Sequence, residues 1–346
     1  MSTWTELLDR DKCFIVKEHT NGASIYELAN KYTLNPDSLG RKIRLLKQNG
    51  EIDRYLNGLK DQEGDLIRPV FQDNAVTIQR VDSENPDDRT AIIRPQQETW
   101  RILLYTDTHF PYQDQPACDA FVRCAAFIPH DFIVCGGDNL DFYGLSAYGK
   151  DVNMLFENSL QREVIEHEKF LISLASVSTA RKISLFGNHM QRYIRWLDNN
   201  SYIRNTEAYR PENLLKLKDY GWYPFVGRIM FNAQDDPYYP NPQFIIEHGT
   251  TARKNAGVTV QKQSENWGFT SIAMGHVHRL SVNYKRTLRG QVVTAECGTL
   301  RDLNPEYVSF PDWTHGAMYI TVSETEVIAQ PIFINKGIAH FGNQEI

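Results

Sequence analysis

Five short polar blocks, each just after a run of apolar residues, constrain this chain more than any other feature of its sequence. The apolar runs are Ile102–Tyr105 and the segments FIVC, ISLF, FIIE and SIAM. The blocks that follow them are Asp107-Thr108-His109, Gly136-Gly137-Asp138-Asn139, Gly187-Asn188-His189, His248-Gly249 and Gly275-His276-Val277-His278. Such runs are typical of strands buried on both faces. If these strands share one sheet, we expect the polar side chains to converge on one edge, where ligands bind in open α/β sheets.

The chemistry of these blocks predicts a metal site. They contain five of the ten histidines in the chain, together with aspartate and asparagine. Nitrogen and oxygen ligands without thiolate suit Mn²⁺, the expected ion, with Fe²⁺ and Zn²⁺ as alternatives. Two such ions need a shared carboxylate, and Asp138 is the obvious bridge. A pair of divalent ions about 3.5–4 Å apart can acidify a shared water and hold a phosphoryl group.

The five blocks, in this order, resemble those of the calcineurin-like metallophosphoesterase superfamily, whose pattern runs D-x-H, G-D, G-N-H, H and G-H-x-H. The resemblance extends from Arg101 to the end, roughly 70% of the chain. The metal ligands that it implies are Asp107, His109 and His278 for one ion, Asn188, His248 and His276 for the second, and Asp138 for both. It also implies that a metal-bridging hydroxide attacks phosphorus. His189 would lie beside the substrate, stabilising developing charge or protonating the leaving oxygen.

Two positions depart from the pattern of that superfamily. Many members follow the G-N-H block with an acidic residue that orients the imidazole, whereas Met190 follows it here. We therefore expect another carboxylate, with Asp141 as the candidate, to orient His189. The protein serine/threonine phosphatase branch has a phosphate-binding arginine where this chain has Phe142, so the sequence argues against a protein phosphatase.

The segment from Ser24 to Gly50 predicts two helices joined by a short turn. Ser24 and Glu27 have capping-box spacing, and Asp37 is the expected cap of the second helix. The second helix has an apolar face opposite a cationic one, which resembles the recognition helix of bacterial and phage helix-turn-helix regulators. The residues expected to contact DNA are Arg41, Lys42, Arg44, Lys47 and Gln48. The alternative is that this face is merely solvated, or that the helical unit binds a protein.

These signals predict a domain order along the chain. Residues 1–71 are expected to form a small all-α helix-turn-helix domain, with a wing if Gly64-Asp65 turns. Residues 72–99 are interpreted as a linker, although the runs 75–81 and 90–93 are strand-like. Residues 100–346 form the expected catalytic domain, since strands alternate with helices and later become turn-separated. The predicted fold class is α/β, a four-layer α/β/β/α metallophosphoesterase sandwich preceded by the helical domain.

Composition excludes some partners and compartments. The formal net charge is −6, so no overall basic field attracts nucleic acid or acidic membranes, and any contact with DNA must be local. No apolar run approaches the roughly 20 residues that cross a bilayer, and the amino terminus lacks the order of a signal peptide. The five cysteines form no Cys-x-x-Cys pair and predict small buried side chains. We therefore expect a cytoplasmic protein with no membrane partner.

The leading functional hypothesis is a phosphodiesterase or nuclease acting on DNA, which the helical domain would bind. One alternative is a phosphomonoesterase or small-nucleotide phosphodiesterase whose helical domain docks on a partner or dimerises, which would give a homo-oligomer. Another is a DNA-binding regulator whose metal domain has lost catalysis. Aromatic and cationic residues near the blocks are expected to contact a phosphodiester or nucleotide substrate, since bases stack while phosphates pair. The candidates are Tyr112, Tyr143, Tyr148, Arg192, Arg253, Lys254 and Arg279.

Overall fold

A computed structural model describes residues 15–16, 19, 24–32, 34–48, 75–80, 89–94, 97–146, 159–204, 206–232, 242–288, 290–305 and 310–346. The chain divides into two compact units, Met1–Asp73 and Asn74–Ile346. The division falls near the start of the interval interpreted as a linker. The expected wing and its turn lie outside the described residues.

The described part of the smaller unit contains the helices α1 (Ile25–Lys31) and α2 (Pro36–Gln48), and residues 15–16 and 19 are also helical. The capping box predicted for α1 is present, because the Ser24 side chain accepts from the Glu27 amide and the Glu27 side chain accepts from the Ser24 amide. The prediction that Asp37 caps α2 was wrong. Asn35 accepts from the amide of Ser38 at 3.0 Å, which leaves a proline at the first helical position, where its missing N–H costs nothing.

Helices α1 and α2 contribute to an apolar cluster. Its buried members are Ile15, Leu28, Ala29, Leu34, Leu39 and Ile43. Arg41, Arg44 and Lys47 of α2 are exposed, and Lys42 is half-buried. Gln48 is the last residue of the helix. The second helix therefore has an apolar side against the cluster and a cationic side in solvent, as its sequence pattern indicates.

The described part of the larger unit contains six α-helices and fourteen strands. The helices are α3 (Gln115–Phe127), α4 (Leu160–Val177), α5 (Met190–Asn199), α6 (Ser201–Arg204), α7 (Pro211–Leu214) and α8 (Val258–Asn266). The strands are β1 (Val76–Arg80), β2 (Arg89–Ile93), β3 (Thr99–Tyr105), β4 (Phe132–Cys135), β5 (Arg181–Ser184), β6 (Arg228–Phe231), β7 (Phe244–Glu247), β8 (Ser271–Met274), β9 (Leu280–Thr287), β10 (Gly290–Cys297), β11 (Gly316–Ser323), β12 (Val327–Asn335), β13 (Ile338–Phe341) and β14 (Gln344–Glu345).

These strands form two sheets of seven. The first sheet has the order β14-β13-β12-β11-β3-β4-β5, in which β3, β4 and β5 are parallel and β11 is antiparallel to β3. The second sheet has the order β1-β2-β6-β7-β8-β10-β9, in which β7, β8 and β10 are parallel neighbours. The interval interpreted as a linker contributes β1 and β2 to the second sheet. The predicted combination of parallel and antiparallel strands in a two-sheet α/β fold is confirmed.

Side chains of β3 alternate between two apolar clusters, as a strand covered on both faces requires. Ile102 and Leu104 join the cluster that lies between the two sheets. Leu103 and Tyr105 join the cluster that packs against α3 and α4. A third cluster joins β6, β7 and β8 of the second sheet to Val260 of α8. The layers therefore run helix, sheet, sheet, helix.

No helix in the part of the chain that the structure describes has the length and apolar character needed to cross a bilayer. Cys118, Cys124, Cys135 and Cys297 are free and buried, as their apolar surroundings predict, while Cys13 lies outside the described residues. Burial raises the pKa of the Cys135 thiol to about 12, so this side chain is protonated at neutral pH. It therefore serves as a small apolar group.

Candidate metal centre

The five polar blocks converge at one end of the larger unit, but they come from two sheets. Asp107, Asp138 and Asn188 follow β3, β4 and β5 of the first sheet, whereas His248 and His276 follow β7 and β8 of the second. The condition that all these strands share one sheet was wrong, because β11 rather than β7 or β8 extends the first sheet beyond β3. The blocks still meet, since the amide of His276 donates to Asp107 Oδ2 at 2.9 Å.

Asp107, His109 and His278 form the first of two groups of convergent ligand atoms. His278 Nε2 lies 3.1 Å from Asp107 Oδ1 and 3.2 Å from His109 Nε2. The third side of this triangle, from His109 Nε2 to Asp107 Oδ1, is 3.5 Å. All three side chains are buried. The first group therefore places one carboxylate oxygen and two imidazole nitrogens around a common point.

Asp138, Asn188, His248 and His276 form the second group. Asn188 Oδ1 lies 2.9 Å from His248 Nε2 and 2.8 Å from His276 Nδ1. Asp138 Oδ2 lies 3.1 Å from His248 Nε2. The ligand atoms of Asp138, His248 and His276 all lie within 4.8 Å of one another. The two groups therefore contain the seven residues for which the sequence resemblance implies metal binding, divided between two positions as expected.

The distances within both groups suit divalent ions. At bond lengths of about 2.1 Å, neighbouring ligands of one ion lie about 3.0 Å apart in an octahedron and about 3.4 Å apart in a tetrahedron. His248 Nδ1 lies 2.8 Å from the carbonyl oxygen of Gly136, which can only accept, so Nδ1 carries the proton. In a neutral ring, Nε2 then presents a lone pair to the oxygens of Asn188 and Asp138. Facing acceptors at this distance require a proton or a cation between them.

Hydrogen bonds outside the two groups fix the orientation of the ligands. Asp107 Oδ2 accepts from the Thr106 hydroxyl at 2.6 Å as well as from the His276 amide, which leaves Oδ1 for the first group. His109 Nδ1 donates to Asp141 Oδ2 at 3.1 Å. Partners of this kind set the tautomer and raise the basicity of a ligand imidazole. His278 differs, since its buried Nδ1 has no hydrogen-bond partner among the described residues.

Asp138 lies between the two groups. Its carboxylate, His109 of the first group and His189 have ligand atoms within 4.8 Å of one another, while His248 of the second group is also adjacent. Asp138 Oδ1 accepts from the amide of His189 at 2.8 Å. A Cβ on Gly187 would lie 2.1 Å from that same oxygen, so only glycine leaves room for the carboxylate. This position suits a bridge between two ions.

Five of the seven predicted ligands have a left-handed backbone, which side chains other than glycine rarely adopt. The φ angles are 54° at Asp107, 48° at His109, 48° at Asp138, 69° at His276 and 59° at His278. Conformations of this kind cost about 1–3 kcal/mol each and cluster at functional sites. Their concentration at one end of the unit is independent support for a functional site there.

The electrostatics of the site keep its carboxylates ionised. Burial opposes the ionisation of Asp107, but the adjacent His278 and His109 rings outweigh it and hold the pKa of that carboxyl well below its usual range. Burial likewise raises the pKa of Asp138, and the His248 and His189 rings reverse this, so its net pKa is lowered. Burial lowers the pKa of His278 to about 4, which leaves a neutral imidazole. Ionised carboxylates and neutral imidazoles are the forms that bind metals.

His248 has the opposite shift. Burial lowers the pKa of its imidazole, but the Asp138 carboxylate outweighs this effect and raises the pKa to about 9. The pKa of His109 is also raised, because the Asp107 and Asp141 carboxylates outweigh burial and the Arg301 charge. Without metal, the His248 ring therefore holds a second proton at neutral pH. A cation entering the second group has to displace it.

His189 lies beside both groups, partly exposed, and belongs to neither triangle. Its Nδ1 donates to the main-chain oxygen of Asp141 at 2.8 Å, and its Nε2 lies 3.9 Å from Asp138 Oδ2. Asp141, the residue expected to orient this ring, holds it through its main-chain oxygen, and its carboxylate oxygen Oδ2 lies 3.6 Å from His189 Nδ1 while it accepts from His109. Met190 is buried in the apolar cluster against α3 and α4. Burial lowers the pKa of His189 to about 4.

The residues expected to contact substrate differ in exposure and in the bonds that they make, and Tyr148 lies outside the described residues. Tyr112 and Tyr143 are half-buried neighbours with ring centroids 6.3 Å apart. Arg279 is 6% exposed and donates to the carbonyl oxygens of Arg253 and Lys254 and to the carboxylate of Asp312. These bonds give Arg279 a structural role in holding the loop after β7. Arg253 is exposed on that loop, and its contact with substrate stays a prediction.

Sequence reasoning missed two residues beside the first group. Arg301 is 3% exposed, and its guanidinium lies 5.0 Å from the ring centroid of Trp313 and 3.9 Å from Asp141 Oδ2. Trp313 in turn packs edge-on against His278 at 4.4 Å. Both lie in the segment between β10 and β11, more than 190 residues after Asp107, and no local pattern marks them. Only the folded structure, which places them close to the site, identifies them.

Comparisons with known proteins give similarity to solved structures only at low sequence identity and low TM-score. No protein-family model matches the chain, and no curated protein matches it. Vacuolar Protein Sorting 29 from Cryptosporidium parvum is 15% identical over 72% of this chain and 99% of its own, with a TM-score of 0.40. A predicted phosphoesterase from Streptococcus pneumoniae is 10% identical over 72% and 97%, with a TM-score of 0.33. The phosphoesterase Yfce from E. coli is 12% identical over 68% and 93%, with a TM-score of 0.32. TM-scores below 0.5 assign neither family nor activity.

Proposed function

We propose that the larger unit, Asn74–Ile346, is a metal-dependent phosphoesterase with two divalent ions, in which Asp107, His109 and His278 bind one ion and Asn188, His248 and His276 bind the other. Asp138 would bind both. The observation that supports this is the convergence of seven side chains, from blocks up to 171 residues apart, into two groups with ligand-like spacing. Their donors suit Mn²⁺, Fe²⁺ or Zn²⁺, since no thiolate is among them.

The residues around the two groups suit phosphoryl transfer. Two bound divalent ions supply Lewis acidity toward a phosphoryl oxygen and lower the pKa of a water between them. His189 is held by the Asp141 carbonyl with Nε2 directed toward Asp138, so this nitrogen can exchange a proton with a leaving oxygen. Five of the seven proposed ligands are buried, which strengthens the charge interactions at the metal positions.

We propose that DNA is the substrate, so that the enzyme is a phosphodiesterase or nuclease acting on DNA. The exposed Arg41, Arg44 and Lys47 of α2 support this, because they can contact phosphates while the apolar face packs in its own unit. A tethered DNA-binding unit raises the effective concentration of DNA at the catalytic unit. The proposed division is a helix-turn-helix unit within Met1–Asp73 and a catalytic unit at Asn74–Ile346 that includes β1 and β2.

A small-nucleotide phosphodiesterase or phosphomonoesterase is the second candidate. The half-buried rings of Tyr112, Tyr143 and Trp313 lie on the side of the first group, where a nucleobase could stack. The helical unit would then bind a protein or a second copy of the chain. A regulator with an inactive metal domain is disfavoured, because loss of catalysis should leave at least one ligand missing from the two groups.

Metal binding and hydrolysis together test the enzyme proposal. We expect calorimetric titration with Mn²⁺ to show two sites and the loaded protein to hydrolyse bis(p-nitrophenyl) phosphate faster than p-nitrophenyl phosphate. Asp138→Asn should abolish turnover, since it removes the charge that both ions share. Asp119→Asn is the matched control, because Asp119 is exposed on α3 and accepts from Gln115. A protein with both sites filled that hydrolyses neither compound would contradict the proposal.

A gel-shift titration at several salt concentrations tests the DNA proposal. Arg41→Ala plus Arg44→Ala should weaken binding to duplex DNA and reduce its salt dependence, because each arginine that contacts a phosphate displaces counterions. Arg162→Ala plus Arg195→Ala is the control, since it removes two exposed arginines from the larger unit. Equal loss in both double variants would mean that α2 does not recognise DNA. A comparison of the rates of hydrolysis of single-stranded DNA, duplex DNA, RNA and cyclic dinucleotides would define the substrate.

A further inference from the structure

Arg192 is the cation nearest to the ring nitrogen that the proposed reaction uses. It lies in the first turn of α5, and its side chain is 23% exposed. Its Nη2 lies 3.1 Å from His189 Nε2. Its Nη1 donates to the carbonyl oxygen of Asp141 at 2.9 Å and lies 3.4 Å from Asp141 Oδ1. The guanidinium therefore lies at the mouth of the candidate metal centre, accessible from solvent.

The direction of the bond between Arg192 and His189 follows from their chemistry. His189 Nδ1 faces the carbonyl oxygen of Asp141 and must carry a proton, so Nε2 of the neutral ring is an acceptor. A guanidinium has donors and no acceptor, so Arg192 donates to Nε2. This bond occupies the nitrogen that lies 3.9 Å from Asp138 Oδ2. A phosphoryl group beside Asp138 competes with His189 for the same guanidinium.

A phosphate oxygen is the better partner in that competition. Bonds from arginine to an anionic oxygen are roughly twice as strong as those to a neutral acceptor, and the planar guanidinium can offer two parallel N–H groups. We propose that Arg192 is a substrate-binding residue that moves from His189 Nε2 to a phosphoryl oxygen when substrate enters. This inference rests on the proposed function and adds a phosphate-binding residue to it. The same movement frees His189 Nε2 for the leaving oxygen.

Two neighbouring arginines are less suited to this role. Arg301 is 3% exposed, and its guanidinium packs against the rings of Trp313 and Tyr112. It is therefore less accessible to a substrate than Arg192. Arg195 is exposed on α5 at the turn after Arg192. The first turn of α5 also presents the positive end of a helix dipole toward the same point, which favours an anion there. Arg192 is thus both partly exposed and correctly placed.

Calorimetric titration of orthophosphate into Mn²⁺-loaded protein tests this role without requiring turnover. We expect Arg192→Gln to raise the phosphate dissociation constant roughly tenfold to hundredfold, the range for loss of a hydrogen bond to a charged group. Arg192→Lys should lie between wild type and Arg192→Gln, because it keeps the charge and loses the planar donors. Arg195→Gln is the matched control and should bind phosphate like wild type. Affinity for Mn²⁺ should be the same in all four proteins.

Two results would overturn the inference. One is a phosphate dissociation constant of Arg192→Gln within about twofold of wild type, because this change is too small for the loss of a hydrogen bond to a charged group. A fall in turnover number without loss of phosphate affinity would mean that Arg192 only supports His189. The other is a metal-loaded wild type that binds no orthophosphate. If wild type binds phosphate through Arg192 but hydrolyses no ester, the proposed function fails and the assignment of Arg192 stands.

Discussion

The carboxyl group of Glu163 gives a prediction whose magnitude follows from the structure. Glu163 lies in the first turn of α4, is 1% exposed, and accepts from the amide of Phe142 at 2.9 Å. Burial raises the pKa of this carboxyl to about 8, an effect that the Phe142 amide reduces and the Asp141 charge reinforces. In the unfolded chain the pKa returns to its ordinary value of 4.5. We therefore expect Glu163→Gln to change how stability depends on pH.

The sign follows from the protons bound in each state. Between pH 4.5 and pH 8 the folded protein holds the Glu163 proton and the unfolded chain has lost it, so the free energy of unfolding falls as pH rises. The stability lost by wild type reaches about 5 kcal/mol above the folded pKa, at about 1.4 kcal/mol per pKa unit. Glutamine resembles the protonated carboxyl, can accept from Phe142, and does not titrate. Glu163→Gln should therefore gain stability over wild type as pH rises.

Urea denaturation at about pH 5, 7 and 9 measures this difference. We expect the free energy of unfolding of Glu163→Gln to match that of wild type near pH 5 and to exceed it by several kcal/mol near pH 9. Glu166→Gln is the control, because Glu166 lies on the solvent side of α4, where its pair with Lys169 contributes at most about 1 kcal/mol. A difference between Glu163→Gln and wild type that stays constant with pH would refute a buried, protonated Glu163.

Three further predictions concern the metal centre. Gly187→Ala should weaken Mn²⁺ binding at least tenfold in calorimetry, because the added Cβ would lie 2.1 Å from Asp138 Oδ1 and displace this carboxylate. The circular dichroism spectrum should stay unchanged. Unchanged Mn²⁺ affinity would contradict the proposed contact between the Cβ and the carboxylate. Mn²⁺ affinity should rise with pH up to about 9, because ions must displace the His248 proton, and titration in buffers of different ionisation enthalpy should show proton release. Mn²⁺ at a hundred times its dissociation constant should raise the free energy of unfolding of wild type by about 2.7 kcal/mol for each filled site, reversibly with EDTA, and by less in Asp138→Asn.

Local sequence patterns predict several strands with correct bounds. Phe132–Cys135, Phe244–Glu247 and Ser271–Met274 are observed as predicted, because each is a short apolar run buried on both faces and bounded by polar or turn residues. The run from Tyr284 to Thr294 is strand-like on both sides of Gly290 and forms the hairpin of β9 and β10 rather than one strand. The sequence is mostly polar around this turn, and Gly290 has a φ of 113°.

Pairing between distant segments could not be predicted from such patterns. β2 pairs in parallel with β6, which follows it by more than 130 residues, and β11 rather than β7 is the neighbour of β3. Local periodicity reports burial of a strand but not its partner. The same reason explains why Arg301 and the Asp141 carbonyl were missed or misjudged, since their roles depend on which segments meet at the site.

The two-sheet origin of the blocks changes what metal binding would do to the protein. In the first group, Asp107 and His109 belong to the first sheet and His278 to the second; in the second group, Asn188 belongs to the first and His276 to the second. Each proposed ion would therefore join both sheets, besides the apolar cluster between them. Without ions, the His248 proton occupies one of these positions and must leave when an ion binds. Metal affinity and the association of the sheets should be thermodynamically coupled, so a substitution between the sheets can weaken metal binding without touching a ligand.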